Sequence, residues 1–313
     1  MRRVFDSDRP KLITSGGLVR AIASSLESDD GEFFANRFAS SCVQPDMNTN
    51  LLQKKFEKLG ARATVRPLVT NRWQPAAGPI VIDVGRDRHG EYFDIQADDG
   101  ANVEVLDVQP QDRHLLLMVR QPNNKDKFLC GHDERHWFVA ALPERAPISS
   151  VVTAKEALKP DLVRNLERGK KGKRKNRLRR KTDVFVRQGE WFFLPAPNVP
   201  INDKLVLSNE PISRGAGSKP HICQYLYRDG GTTVYVCGRH PNGLTAAQHR
   251  KLLKKNPHAA KWNWQVMRRD PLVYVRGRVS HPDHATIRLA IWHRVAMNTE
   301  NQSRALSQVA FLD

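Results

Sequence analysis

Between about residues 80 and 142 the apolar residues of this chain recur every second position, a spacing that suits strands and not helices. Ile80 to Val84, Tyr92 to Ala97, Asn102 to Val108, Leu115 to Val119, Lys127 to Cys130 and Trp137 to Leu142 are the strand candidates. Asp98-Asp99-Gly100 is a turn signal that predicts a hairpin between the second and third of these. The same pattern resumes later. Val184–Arg187 and Glu190–Leu194 flank Gln188-Gly189, and His221–Tyr227 and Thr232–Cys237 flank Asp229-Gly230-Gly231. Leu272–Val279 with Ala285–Val295 reads as the last hairpin.

Helical spacing is confined to a few places. Leu18, Ile22 and Leu26, then Leu51, Leu52, Phe56 and Leu59 before Gly60, predict a helical N-terminal region covering one side of the sheet. Residues 151–167 read as a helix broken at Pro160. A helix over about 245–255 opens with Thr245 and Gln248 at capping-box spacing. No internal repeat is present. Helices are grouped and do not alternate with parallel strands, so the expected class is α+β. Two mostly antiparallel, hairpin-rich domains are expected, 1–150 and 183–313, joined by a helix and basic linker at 151–182.

The charge is unevenly placed. Lys plus Arg number 51 and Asp plus Glu 33, a formal net charge of +18 in 313 residues. Residues 168–181 contain ten basic residues and no acid; residues 244–294 contain eleven against two. The remainder is close to neutral. A like-charged run stays extended unless an anion neutralises it, and phosphate backbones are the commonest such anion. Lys170, Lys171, Lys173, Arg174, Lys175, Arg177, Arg179, Arg180 and Lys181 are therefore candidate phosphate contacts. A solvated linker or an address signal would account for the same run. With one apolar residue, Leu178, it has no face to insert into a membrane, and no apolar stretch is long enough to span one. The N-terminus lacks the apolar core of a secretory signal, and four cysteines make no disulfide framework. A cytoplasmic protein is expected, with nuclear or nucleoid association as variants.

The last hairpin carries the second basic group. Tyr274, Arg276 and Arg278 share one face of its first strand, and Arg288, Trp292 and Arg294 one face of its second. A five-residue loop, Ser280 to His284, places Arg276 near Arg288. Like charges facing each other destabilise a sheet unless an anion lies between them. Tyr274 and Trp292 offer flat surfaces for bases. Lys251, Lys254 and Lys255 on the neighbouring helix extend the candidate surface.

Three groups of residues could carry chemistry. His221, Cys223, Cys237 and His240 would converge in a hairpin centred on Asp229-Gly230 as a Cys2His2 set for zinc, although the spacing is not one usual for zinc fingers. His132, Glu134 and His136 lie at a hairpin tip, where they could act as acid and base or hold magnesium or zinc; a solvated turn explains them equally. His281-Pro282-Asp283-His284, with His293 further on, adjoins the basic hairpin, and His284 is the catalytic candidate there. Phosphate-binding glycine loops and the HExxH and GxSxG signatures are absent.

The expectation is a nucleic-acid-binding protein, with RNA slightly favoured over DNA because arginines and aromatics on a sheet suit unstacked bases. A metal-dependent nuclease using one histidine cluster is the enzymatic alternative. A subunit of a nucleoprotein assembly is the third, in which the basic run would order on docking.

Overall fold

The computed structural model describes residues 47–69, 78–98, 100–144, 146–168, 177–214 and 218–308. Leu18, Ile22, Leu26, Lys170, Lys171, Lys173, Arg174 and Lys175 lie outside the described residues.

Sheets dominate, and the helices sit at their margins. The helix α1 (Met47–Glu57) leads into β1 (Arg62–Pro67), β2 (Ile80–Asp87) and β3 (Gly90–Ala97), which form a sheet of order β1-β3-β2. β2 and β3 are an antiparallel hairpin closed by Arg88-His89, whereas β1 runs parallel to β3. A second sheet is the meander β4 (Asn102–Gln109), β5 (His114–Gln121), β6 (Asn124–Asp133) and β7 (His136–Ala141). β3 and β4 belong to different sheets. The hairpin expected at Asp98-Asp99-Gly100, of which Asp99 lies outside the described residues, therefore does not close.

The two layers face each other. Phe56 and Leu59 after it, Phe93 and Ile95, and Leu115, Leu117, Phe128 and Val139 make one core. Full burial of each large side chain stabilises by roughly 1.5–3 kcal/mol. β5 is buried on both faces, so Leu115 to Val119 is a continuous apolar run. Its Leu116, with Leu129 and Ala140, packs instead against α2 (Val151–Ala157). Ser150 and Thr153 cap α2 reciprocally.

Pro160 ends that helix before α3 (Asp161–Arg168), as the sequence predicts. The break is held by a buried ion cluster. Lys159 Nζ lies 2.9 Å from both carboxylate oxygens of Glu167 and 3.1 Å from Glu156.

The later strands β8 (Val186–Gln188), β9 (Trp191–Pro195), β10 (Leu207–Ile212), β11 (His221–Asp229), β15 (Leu272–Ser280) and β16 (Ile287–Met297) form an antiparallel sheet of order β10-β11-β15-β16-β9-β8. β12 (Thr232–Cys237), β13 (His240–Thr245) and β14 (Gln265–Arg269) form a separate sheet of order β13-β12-β14. The helix α4 (Ala246–Lys255) follows β13 and has the expected Thr245–Gln248 capping box.

β11 and β12 are not a hairpin. β11 pairs with β15 and β12 with β14, and the register runs on across the gap from Asp229↔Leu272 to Thr232↔Arg269. Residues 221–237 and 265–280 thus form one long two-stranded ribbon. Gly230, Gly231 and Asp270 have φ of 67°, 81° and 54°, left-handed values that bend the ribbon where Pro271 offers no donor. A Cβ on Gly231 would stand 2.9 Å from Arg269 O, so the two strands approach here as only glycine allows.

The passage expected to divide two domains is crossed by contacts. Arg180 pairs with Asp133 and Glu134, and Arg187 lies 3.4 Å from Asp133. Beyond β16 the chain returns to the first layers: Thr299 Oγ1 donates to Ala157 O at 2.6 Å, Glu300 accepts from Ala141 N–H at 3.3 Å, and Ala305 joins the first core. Among the described residues no helix is long and apolar enough to cross a membrane.

Candidate nucleic-acid interface and a buried histidine cluster

The bent ribbon isolates residues 232–269 as a small unit of β12, β13, α4 and β14. It contains eight Lys or Arg residues and no Asp or Glu. All eight, from Arg239 through Lys251, Lys254 and Lys255 to Arg269, are exposed. Aromatic rings lie among them. Arg239 sits over the Trp262 ring at 4.5 Å, and His240, Trp262 and Trp264 form a mutually packed trio with centroids 5.8, 5.8 and 5.9 Å apart. Trp264 Nε1 donates to Ala259 O at 2.8 Å, which fixes that ring as part of the unit's own packing.

The β15–β16 hairpin supplies a second basic face, in a register different from the expected one. Its loop has six residues, His281 to Thr286, and a bulge shifts the pairing between Val275 and Gly277. Arg278, not Arg276, consequently stands opposite Arg288. Arg276 reaches across to Trp292 at 5.1 Å and Tyr225 at 5.5 Å. The bulge also moves Tyr274 off this face. It is buried against Tyr227, so Tyr225 takes the place expected for it. Ile291 is exposed and His293 is buried. Arg276, Arg278 and Arg288 are exposed and border a groove with Gln224, and among the described residues none of the three has an acidic partner.

The described end of the first basic run behaves differently. Arg180 pairs with Asp133 and Glu134 across the junction of the two halves, with its side chain still partly exposed. Arg177, Arg179 and Arg180 line a cavity of about 310 Å³ at that junction; Lys181, which is exposed, makes a single bridge to Val186.

The residues of the β6–β7 tip are occupied as clamps. Glu134 Oε2 accepts from Ala285 N–H at 2.5 Å. His136 Nδ1 meets Glu91 Oε1 at 2.5 Å, and its Nε2 lies 3.7 Å from Asp283 Oδ1. His132 packs edge-on against Trp137. Desolvation lowers its pKa, as does the nearby Arg113. Sequence spacing suggested a reactive site here; in the structure Glu134 and His136 also contact the loop that carries a second candidate site.

That other site is the loop after β15. His281 and His284 meet His221 at the start of β11, one residue beyond the paired Ile222 and Ser280. One ring nitrogen from each lies within 4.8 Å of the others. The rings stack, with centroids 4.2, 4.7 and 5.7 Å apart, and are only 1%, 7% and 5% exposed for His221, His281 and His284. Burial pushes the His221 pKa down to about 3, and the two neighbouring imidazoles add to this. Among the described groups, neither nitrogen of His221 and neither of His284 has a hydrogen-bond partner. His281 Nδ1 accepts from Asp283 N–H at 3.2 Å. Asp283 itself bonds Lys219 at 2.5 Å, which with desolvation opposing it leaves the carboxyl below its ordinary range.

The Cys2His2 set does not assemble. Cys223 points into the apolar core of the six-stranded sheet, where burial pushes its thiol up to about 12. Cys237 pairs with His240 on the other sheet. Of the four residues His221 alone joins a group with ligand spacing, and its partners lie some sixty residues away in sequence. No protein-family model, curated protein or solved structure matches this chain.

Proposed function

We propose that this protein binds nucleic acid through the acid-free unit 232–269 and the adjoining arginine face of the β15–β16 hairpin. The observation that carries the reading is the placement of eight exposed cations in a unit without a carboxylate of its own, of which Arg269 alone lies near an acid, Asp270 at 3.9 Å, together with three further arginines that have no acidic partner among the described residues. Phosphates would supply the missing counter-charge, and each contact would release condensed counterions. Trp292 and Tyr225, with Arg276 between them, present stacking surfaces that favour single strands, RNA slightly ahead of DNA.

Binding of labelled single-stranded RNA, followed by fluorescence anisotropy across salt concentrations, tests the reading. Affinity should fall steeply with salt. Replacing Arg276, Arg278 and Arg288 by alanine should flatten the log–log slope by about 2, at about 0.7 per phosphate lost from a single strand. No binding at low salt, or an unchanged slope, would remove nucleic acid from this surface and favour an acidic protein partner.

A second reading, a metal-dependent processing enzyme, draws on His281 and His284 lying in the loop of the same hairpin. Shortened product in metal-containing samples, lost with His284→Ala, separates it from plain binding.

A further inference from the structure

The three buried histidines are costly as simple packing. Leucine or phenylalanine would fill the same space, whereas each buried ring nitrogen left without a partner has lost its hydration with nothing in return. Four such nitrogens belong to His221 and His284 alone. Their Nε2 atoms converge on one spot. A Cβ placed on Gly189, in the turn between β8 and β9, would stand 2.8 Å from His284 Nε2 and 3.4 Å from His221 Nε2. Gly189 also has φ of 55°, so the turn needs glycine for its backbone as well as for the space it leaves.

We propose that His221, His281 and His284 form a binding site for one divalent cation of the zinc class. The donor set argues for that class. Three neutral imidazoles suit zinc and its first-row neighbours, while magnesium demands oxygen ligands. Ligand nitrogens at 2.0–2.1 Å from zinc in a tetrahedron stand about 3.4 Å apart. Groups already within 4.8 Å close to that spacing by side-chain rotation, with His281 giving up its contact to the Asp283 amide. Three protein ligands leave a fourth position for water, the arrangement that catalytic zinc sites use.

The loop that carries two of the ligands is fixed from outside. Glu134 holds Ala285 N–H, Arg135 reaches Pro282 O at 3.5 Å, and Lys219 and His136 flank Asp283. Asp283 lies between the two ligands in sequence and supplies negative charge beside a site whose own ligands are neutral, an outer-shell role. The inference stands apart from nucleic-acid binding, since it concerns the metal alone.

The test uses the full chain, stripped of metal with a chelator and titrated with Zn²⁺ against a chromophoric competitor. One equivalent should bind. His221→Ala, His281→Ala and His284→Ala should each weaken binding by at least about 100-fold, beyond the 10- to 100-fold typical of outer-shell changes. Cys223→Ser and His240→Ala should leave it intact. A second measurement needs no variant. The Co²⁺-loaded wild-type protein should give three hyperfine-shifted imidazole N–H signals and no sulfur-to-cobalt charge-transfer band. Absence of binding, fewer than three such signals, a thiolate band, or full affinity retained in a folded His221→Ala or His284→Ala protein would overturn the proposal.

Discussion

Arginines on the first sheets and on the last hairpin are equally exposed, yet they are provided for differently. In the first half Arg66 pairs with Asp94 and Arg120 with Glu104 across neighbouring strands, and Arg62 on β1 reaches Asp87 on β2 past the strand between them. In the last hairpin Arg278 faces Arg288, and Arg276 meets aromatic rings. The contrast continues inside. Buried Asp126 receives bonds from Gln121, Asn124 and Arg304, and Lys159 is matched by Glu167, whereas the ring nitrogens of His221 and His284 have no hydrogen-bond partner among the described residues. These charges and polar groups of the first half find protein partners, some of them from later in the chain. The hairpin arginines and the His221 and His284 nitrogens have none among the described residues, and the proposed ligands would supply an anion on the surface and a cation within.

The sharpest way to break this contrast is to unbalance the half that is balanced. Lys159→Met leaves Glu167 buried without its partner and should destabilise the fold by about 3–5 kcal/mol. Adding Glu167→Leu should restore most of that loss, because two apolar groups replace a buried pair without an orphaned charge. Urea unfolding of the three proteins measures it. A single variant as stable as the parent would mean that the cluster contributes nothing at the α2–α3 break.

A smaller effect is expected in acid. His114 is half-buried at the edge of β5, near Phe138, with Lys155 opposing its protonation and the Asp112 carbonyl and Asp133 favouring it. Desolvation dominates and brings its pKa to about 4, below the unfolded value near 6.5. A lowered folded value means that the unfolded chain binds the proton first. Stability is then unaffected above about pH 6.5 and falls by about 1.4 kcal/mol per pH unit from there to about pH 4. His114→Gln should make that limb of the stability–pH curve shallower by one proton. An unchanged limb would assign the acid sensitivity to other groups.

The binding comparison follows. Alanine at Arg62, Arg66 and Arg120 removes as many positive charges as alanine at Arg276, Arg278 and Arg288. Only the second set should change the salt slope of RNA binding, by about 2. Equal effects from both sets would show that net charge, and not the unpaired face, governs affinity.

How far the sequence reached is itself split along these lines. Many strand positions, the break at Pro160 and the α4 capping box were legible, because alternation, proline and Thr245–Gln248 spacing are local signals; β1, β10, β13 and β14, short and little buried, were not foreseen. Partner choice was not. Asp98-Asp99-Gly100 and Asp229-Gly230-Gly231 have the composition of hairpin turns, but the strands flanking one belong to different sheets and the other bends a continuing ribbon. Turn chemistry sets local direction, and buried faces decide which strands pair. The bulge in the last hairpin has no mark in the alternation, so Tyr274 and Arg276 were assigned to the wrong neighbours. The histidine cluster rests on pairing between β11 and β15, which brings His221 beside His281. The HPDH stretch was visible alone, and its third member was not.

Two capping boxes, one in each half, give the finest test of the contrast. Ser150 caps α2, whose Val151, Ala154 and Ala157 are buried in a core. Thr245 caps α4, which buries none of its residues. Alanine at either position removes the same hydrogen bond and should cost about 1 kcal/mol of helix stability. In α2 the loss should appear in global unfolding, since that helix cannot fray without opening the core beneath it. In α4 it should appear only as faster amide exchange along residues 246–255, leaving the urea midpoint in place. RNA affinity should weaken slightly with Thr245→Ala, because Lys251, Lys254 and Lys255 keep their charge and lose only their fixed spacing. If the urea midpoint moved as far for Thr245→Ala as for Ser150→Ala, α4 would be coupled to the global core, and the division between a self-sufficient half and an outward-facing one would have to be redrawn.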